Sequence, residues 1–175
     1  ALIIEYDGSQ YHGWQSQPGL RTVQGVLEEA LTQVANHEVK VIYSGRTDTG
    51  VHATHQVVHF DPKSKRNVRA WVHGTNAALP KDVCVKWGQE ISDDFHARYS
   101  AVSRRYRYVI YNAAIRHSLL QGNVTWQARK LDHHLMQEAA QTLLGEHNFT
   151  SFRAVHCNAE TPIREVSAIQ VSRRG

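Results

Sequence analysis

The sequence predicts an α+β protein with an antiparallel sheet and helices on one of its faces. Three observations lead there. Short β-branched and aromatic runs alternate with amphipathic stretches. Over the first 95 residues the order is strand, helix, strand, strand, helix, strand, the split βαβ or ferredoxin-like order. A new strand-like run then starts the pattern again. Two related halves are therefore expected, residues 1–95 and 96–175, the second incomplete.

Each element has its own reason. "LIIEYDG" is an apolar run closed by a turn. "TVQGVLEEALTQVAN" sets Val23, Val26, Leu27, Ala30, Leu31 and Val34 at helical spacing, with Thr22 as N-cap. "VKVIYSG" and "HATHQVVHF" read as the second and third strands, the latter ended by Asp61-Pro62. "NVRAWVHGTNAAL" is helical up to Pro80, and "VCVKWGQEI" is the fourth strand. Beyond it, "SRRYRYVIYN" reads as a strand that "QGNVTWQ" can pair with. In "LDHHLMQEAAQTLLG" a helix is expected, capped by Asp132, stapled by Leu131 and Met136 and ended by Gly145. "GEHNFTSFRAVHC" is expected to be a loop in which Phe149 and Phe152 pack, and "IREVSAIQVS" another strand.

A length of 175 residues suits one large domain or two small ones, and 41% hydrophobic against 21% charged residues is ordinary for a globular chain. No apolar run is long enough to span a bilayer. Cys84 and Cys157 lie far apart without CxxC spacing, which favours free thiols in a reducing cytosol over a disulfide. Both ends fall in strand-like sequence, so the chain is expected to be a piece of a longer one. A net charge of +4 permits a nucleic-acid partner without requiring one.

Several stretches offer chemistry. On a strand, Arg104, Tyr106 and Tyr108 of "RRYRY" would share one face and Arg105 and Arg107 the other. Rings that stack bases beside guanidinium groups that meet phosphates suit RNA; a core face opposite a solvated basic face suits the pattern equally. The 12 histidines, among them His52, His55, His59, His133 and His134, lack a compact ligand spacing, so surface positions are expected rather than a metal site. No GxGxxG, Walker or GxSxG phrase occurs, so neither a nucleotide cofactor nor a serine-hydrolase elbow is indicated. In "GRTDTG", Arg46 and Asp48 project to one side of an extended segment. The cation would keep the carboxylate ionised and able to act as nucleophile or counter-charge. A turn with a surface ion pair worth ~0–1 kcal/mol is the plainer reading of the residues alone.

The phrase "GRTDTGVHA" resembles the signature of the tRNA pseudouridine synthase A family. "IEYDGSQYHGWQSQ", "TVQGVLEEAL", "FHARYSAVSRRYRYVIYN" and "LLGEHNFTSFRA" follow the family's order over nearly the whole chain. The resemblance implies a pseudouridine synthase fold of two related α+β halves. It implies isomerisation of uridine to pseudouridine at nucleotides 38 to 40 of the tRNA anticodon stem-loop, in a cytoplasmic homodimer without metal or organic cofactor. By motif, Asp48 would be the catalytic aspartate. Arg46 would displace the target base and pair with the aspartate, and Tyr106 would stack on the flipped uracil. Arg104, Arg105 and Arg107 are candidates for RNA contact. The family carries Ala where this chain has Thr49, and its C-terminal part, with an Arg-bearing helix, is expected past Gly175. An RNA-binding module without chemistry is the alternative, and a histidine-metal hydrolase a third.

Overall fold

Leu2, Ile4 and Tyr6 are buried while Ile3 and Glu5 are partly exposed, the alternation of a strand with one face on a core. The structure, a computed structural model, describes residues 1–153 and 161–174. Two units divide the chain, Ala1–Arg107 and Tyr108–Gly175.

The first unit is built on β1 (Leu2–Tyr6), β2 (Ile42–Tyr43), β3 (Ala53–His59) and β4 (Val83–Gly88), with α1 (Val23–Ala35) and α2 (Val68–Ala78). The sheet order is β2-β3-β1-β4 and every pairing is antiparallel. Leu2 faces Val58, and Ile4 faces Gln56 on one side and Val85 on the other. α1 starts where Thr22 Oγ1 accepts the Gly25 amide at 3.3 Å. It ends at Asn36, whose φ of 58° and bond to the Thr32 carbonyl make a left-handed cap. Val23, Leu27 and Leu31, four apart, are buried on one stripe and join Leu2, Ile4, Tyr6, Val58, Trp71, Val83 and Val85 in one core. Each such aliphatic side chain stabilises the fold by about 1.5–3 kcal/mol. Asn67 caps α2 by accepting the Ala70 amide at 2.8 Å.

The second strand is shorter than "VKVIYSG" suggests. Ahead of Ile42 the chain is tied to α1 instead: Val39 N–H donates to Thr32 Oγ1 at 3.0 Å and Val41 N–H to Glu28 Oε1 at 3.1 Å, both on the edge of the strand that faces away from β3. Glu28 is buried and also receives Gln24 Nε2 at 2.8 Å and Lys40 Nζ at 3.2 Å. A carboxylate so supplied with donors can lie inside.

In the second unit β5 (Ile110–Asn112) pairs with β6 (Thr125–Gln127), as expected of "QGNVTWQ", but in parallel. α3 (His133–Gln141) is capped by Asp132, which accepts the His134 and Leu135 amides. It stops short of Gly145, which has φ 91° and opens β7 (Gly145–Asn148). β7 pairs antiparallel with β8 (Ile163–Val166), so this part of the expected loop is strand, and Ala168 lies past the strand's end. Phe149 and Phe152 meet edge to face at 5.8 Å, although Phe152 stays largely exposed. Cys157 lies outside the described residues.

The largest departure is "RRYRY". Residues 101–109 form no strand; the run is regular only at Ile110–Asn112, where β6 offers a partner. β-propensity expresses side-chain packing against neighbours, and 101–109 have no neighbouring strand among the described residues. Without a ladder over 101–109, nothing imposes the strand alternation that would set Arg104, Tyr106 and Tyr108 on one face. His59 departs from the surface expectation too: it is buried, and its Nδ1 accepts the Ala97 amide at 3.2 Å.

Candidate active-site loop

Residues 44–52 join β2 to β3, and their backbone is fastened along its length. Ser44 N–H reaches the Val57 carbonyl at 2.9 Å, which continues the β2–β3 pairing. The Gln56 side chain donates to the Gly45 carbonyl and receives Ser44 Oγ at 2.6 Å. The middle of the loop is held by the N-terminal segment: Trp14 N–H donates to the Thr47 carbonyl at 2.9 Å, and Tyr6 Oη lies 2.8 Å from Thr47 Oγ1. Burial pushes the Tyr6 phenol up, so it stays a neutral hydroxyl. Gly50 N–H reaches the Tyr11 carbonyl at 3.3 Å, and Val51 N–H closes a turn on the Asp48 carbonyl at 3.1 Å. Gly50, third in that turn, has φ 79°, where a residue without Cβ is favoured. Gly8 is needed for a different reason: a Cβ there would stand 2.0 Å from the Val51 carbonyl oxygen.

The supports are themselves anchored. Trp14 is fully buried, with its ring 5.7 Å from Tyr6 and 5.4 Å from Tyr43. Tyr11 donates to Asp82 Oδ1 at 2.6 Å, and Arg21 donates to Asp82 Oδ2 and to Tyr11 Oη, each at 3.0 Å. Burial first, then the Asp82 carboxylate, drives the Tyr11 phenol up. His52 Nδ1 lies 3.1 Å from both the Gly8 amide and Asp7 Oδ1. Hydrogen bonds from Ser9, and then His52, hold the Asp7 carboxyl below its ordinary value.

Against this backbone the expected site residues are distributed unevenly. Asp48 is exposed, and its carboxylate makes no hydrogen bond or ion pair among the described residues. Arg46 is exposed too and does not pair with it; its Nε donates to Tyr43 Oη at 3.2 Å. The expected Arg46–Asp48 ion pair is thus replaced by an arginine laid on a tyrosine three residues back. Tyr106 is 81% exposed, and Arg105 and Arg107 are exposed beside it. Among the described residues Arg104 is the one that hydrogen-bonds across the two stretches: Nε and Nη2 donate to the Ser44 carbonyl at 3.2 and 2.6 Å. Residue-level reasoning did not single out Tyr43, Trp14, Gln56 or Gly8. The signal for Gly8 and Trp14 is the pair of phrases "YDG" and "HGWQ", whose glycines and tryptophan meet the loop; Tyr43 and Gln56 carry none. Among the described residues no group of three or more His, Cys, Asp or Glu is placed to hold a metal ion, and no helix is long and apolar enough to cross a membrane.

The comparisons with known proteins agree on one family. The family model of tRNA pseudouridine synthase matches residues 2–100 and 139–175. A protein named tRNA pseudouridine synthase A from Legionella pneumophila (strain Lens) is 63% identical over 175 residues, covering all of this chain and 67% of its own length. Proteins of the same name from Alcanivorax borkumensis and Aliivibrio fischeri (strain MJ11) are each 53% identical over all of this chain, which covers 66% and 67% of their lengths. The match runs through the fastened loop and up to the edge of the arginine-tyrosine stretch, and the chain belongs to the tRNA pseudouridine synthase family.

Proposed function

We propose that this chain converts uridine to pseudouridine at nucleotides 38 to 40 of the tRNA anticodon stem-loop, with Asp48 as its catalytic carboxylate. Isomerisation of uridine in tRNA follows from family membership; the position in the tRNA and the residue roles are our reading. The observation that carries it is a carboxylate without a partner among the described residues, on a loop whose backbone is fastened on both sides of it. A surface turn has no need of such restraint, whereas a reacting group does.

The chemistry divides among the residues present. The N1–C1′ bond breaks, the base turns, C5 joins C1′, the C5 proton leaves and N1 gains one, so nothing is consumed. A base in a stem must first leave its stack, at a cost of about a few kcal/mol. Arg46, released from Tyr43, would fill the vacated space, and the exposed ring of Tyr106 would receive the uracil. Asp48 would then attack the sugar or the uracil ring, or assist elimination to a glycal. Arg105 and Arg107 would meet phosphates. Two subunits would pair to hold one tRNA in the cytoplasm, without metal or cofactor. The strand order of the first unit supports a ferredoxin-like half, with a related second half from residue 96 onward.

Asp48→Asn tests this. Pseudouridine formation should fall by about 10³–10⁴-fold or more while tRNA still binds. Full activity of that variant would remove Asp48 from its role. An RNA-binding module without chemistry would leave uridine unmodified in the unaltered protein too.

A further inference from the structure

An exposed arginine in "RRYRY" reads by default as a phosphate contact, and the resemblance gives Arg104 no more than that. Its surroundings say otherwise. Nε and Nη2 both point at one backbone oxygen, that of Ser44, at 3.2 and 2.6 Å across 60 residues of sequence. The side chain lies over Gly45, where an added Cβ would stand 3.3 Å from Nε and 3.7 Å from Cδ. Two N–H groups from one guanidinium on a carbonyl make a charge-assisted, directional contact.

We propose that Arg104 is a positioning residue for the Asp48 loop, not a ligand of the tRNA backbone. This rests on the reading of Asp48 as the reacting carboxylate. The loop's other supports show why such a residue is needed. After Asp48, the turn to Val51 and the Gly50–Tyr11 bond hold the backbone; before it, the Trp14–Thr47 bond holds the adjacent residue. The start of the loop, Ser44 and Gly45, is held by Gln56, and Arg104 adds the one support that comes from the tyrosine stretch. The Asp48 carboxylate has no partner of its own among the described residues, so its place is set by these backbone contacts alone. An error of about 1 Å at a reacting group can cost about 10²-fold in rate. Because Arg104 precedes Tyr106 by two residues, the same contact also ties the start of the tyrosine's segment to the loop.

The test uses the full-length protein with Arg104→Ala and Arg104→Lys. Lys keeps the charge and loses the two-donor geometry. Three quantities are read: the single-turnover rate of pseudouridine formation at saturating tRNA, the tRNA Kd with its salt dependence, and amide hydrogen exchange of residues 44–51 without tRNA. A positioning role predicts a rate lower by ~10–100-fold in Ala and intermediate in Lys, with Kd and salt slope unchanged and faster exchange in the loop. A raised Kd, a salt slope smaller by about one phosphate contact and an unchanged rate would make Arg104 a phosphate ligand and overturn the proposal. Unchanged exchange at 44–51 would overturn it as well. Should Ala fail to fold, Lys still separates rate from Kd. The exchange readout does not involve catalysis, so loss of the Asp48 assignment, seen as an active Asp48→Asn, is distinguishable from loss of the Arg104 assignment.

Discussion

In residues 44–52 the backbone is bonded and the carboxylate proposed to react is not; in residues 101–108 the backbone itself makes no hydrogen bond among the described residues. Both stretches carry side chains of the proposed site. The first is cradled by Gly8, Tyr11 and Trp14. The second presents Val102, Tyr106 and Tyr108 to solvent at 100, 81 and 77% exposure, and touches the first through Arg104. The contrast teaches that the two halves of a site can be prepared differently. The carboxylate is placed before substrate arrives, while the aromatic surface has its packing still to gain. Substitutions that unseat the loop backbone should then appear as lost stability, and truncation of the exposed tyrosine ring as lost tRNA modification.

The largest effect is expected at Gly8. A Cβ 2.0 Å from the Val51 carbonyl oxygen meets backbone, which cannot rotate away, so Gly8→Ala should destabilise by about 3 kcal/mol or more. At Gly50 an added Cβ would meet nothing within 4 Å and only the φ of 79° is penalised; Gly50→Ala should cost about 1–2 kcal/mol. Urea denaturation of both variants checks the order. Equal midpoints would mean that the loop is not seated as tightly as its contacts imply.

Tyr106 is where the comparison should reverse. Removing a ring that is 81% exposed and has no partner among the described residues should change stability by no more than about 0.5 kcal/mol. Tyr106→Ala should nevertheless slow single-turnover modification by roughly 5–150-fold, the worth of about 1–3 kcal/mol of base stacking. Tyr106→Phe keeps the ring and should retain that share; any remaining loss measures the hydroxyl. A destabilised Tyr106→Ala protein would erase the distinction between the two stretches.

How far the sequence led follows the same division. α1, α2, β1, β3 and β4 were legible because periodicity and caps are local: Val23, Leu27 and Leu31 make their stripe, and Thr22 and Asn67 make their caps, within a few residues. β2 is shorter than its composition suggests, and the residues ahead of it, Val39 and Val41, are tied by their amides to Thr32 and Glu28 of α1, 7 and 13 residues earlier. "RRYRY" has strand composition but no strand beside it among the described residues, and composition does not reveal a missing neighbour. Within the site, Asp48 and Tyr106 came from whole phrases rather than from residue chemistry. The Arg46–Asp48 pair was expected from spacing and from the resemblance, whereas Arg46 Nε donates to Tyr43 Oη. The bond from Arg104 to Ser44 spans 60 residues and leaves no local trace.

The smallest effect concerns the anchor just ahead of the tyrosine stretch. His59 Nδ1 accepts the Ala97 amide, and Phe95 and His96 ring the imidazole at 5.9 and 5.1 Å. Burial first, then the neighbouring His96 charge, lowers the His59 pKa; Asp61 opposes this and the N-terminal amine of Ala1 adds to it weakly. The folded protein thus resists a proton that the unfolded chain accepts near the ordinary value of about 6.5. The stability from this site is complete above that value and is lost as pH falls below it. Between about pH 7.5 and 5 the urea midpoint should decline slightly, and His59→Gln, which keeps an acceptor without titrating there, should flatten the decline. Amide exchange locates the effect. Acidification should loosen Ala97, after correction for intrinsic exchange, and leave Trp14 and Gly50 unchanged, because their acceptors are the backbone carbonyls of Thr47 and Tyr11 and do not titrate. If Gly50 loosened in step with Ala97, the loop and the tyrosine stretch would be one cooperative unit, and the contrast between them would be one of exposure and not of restraint.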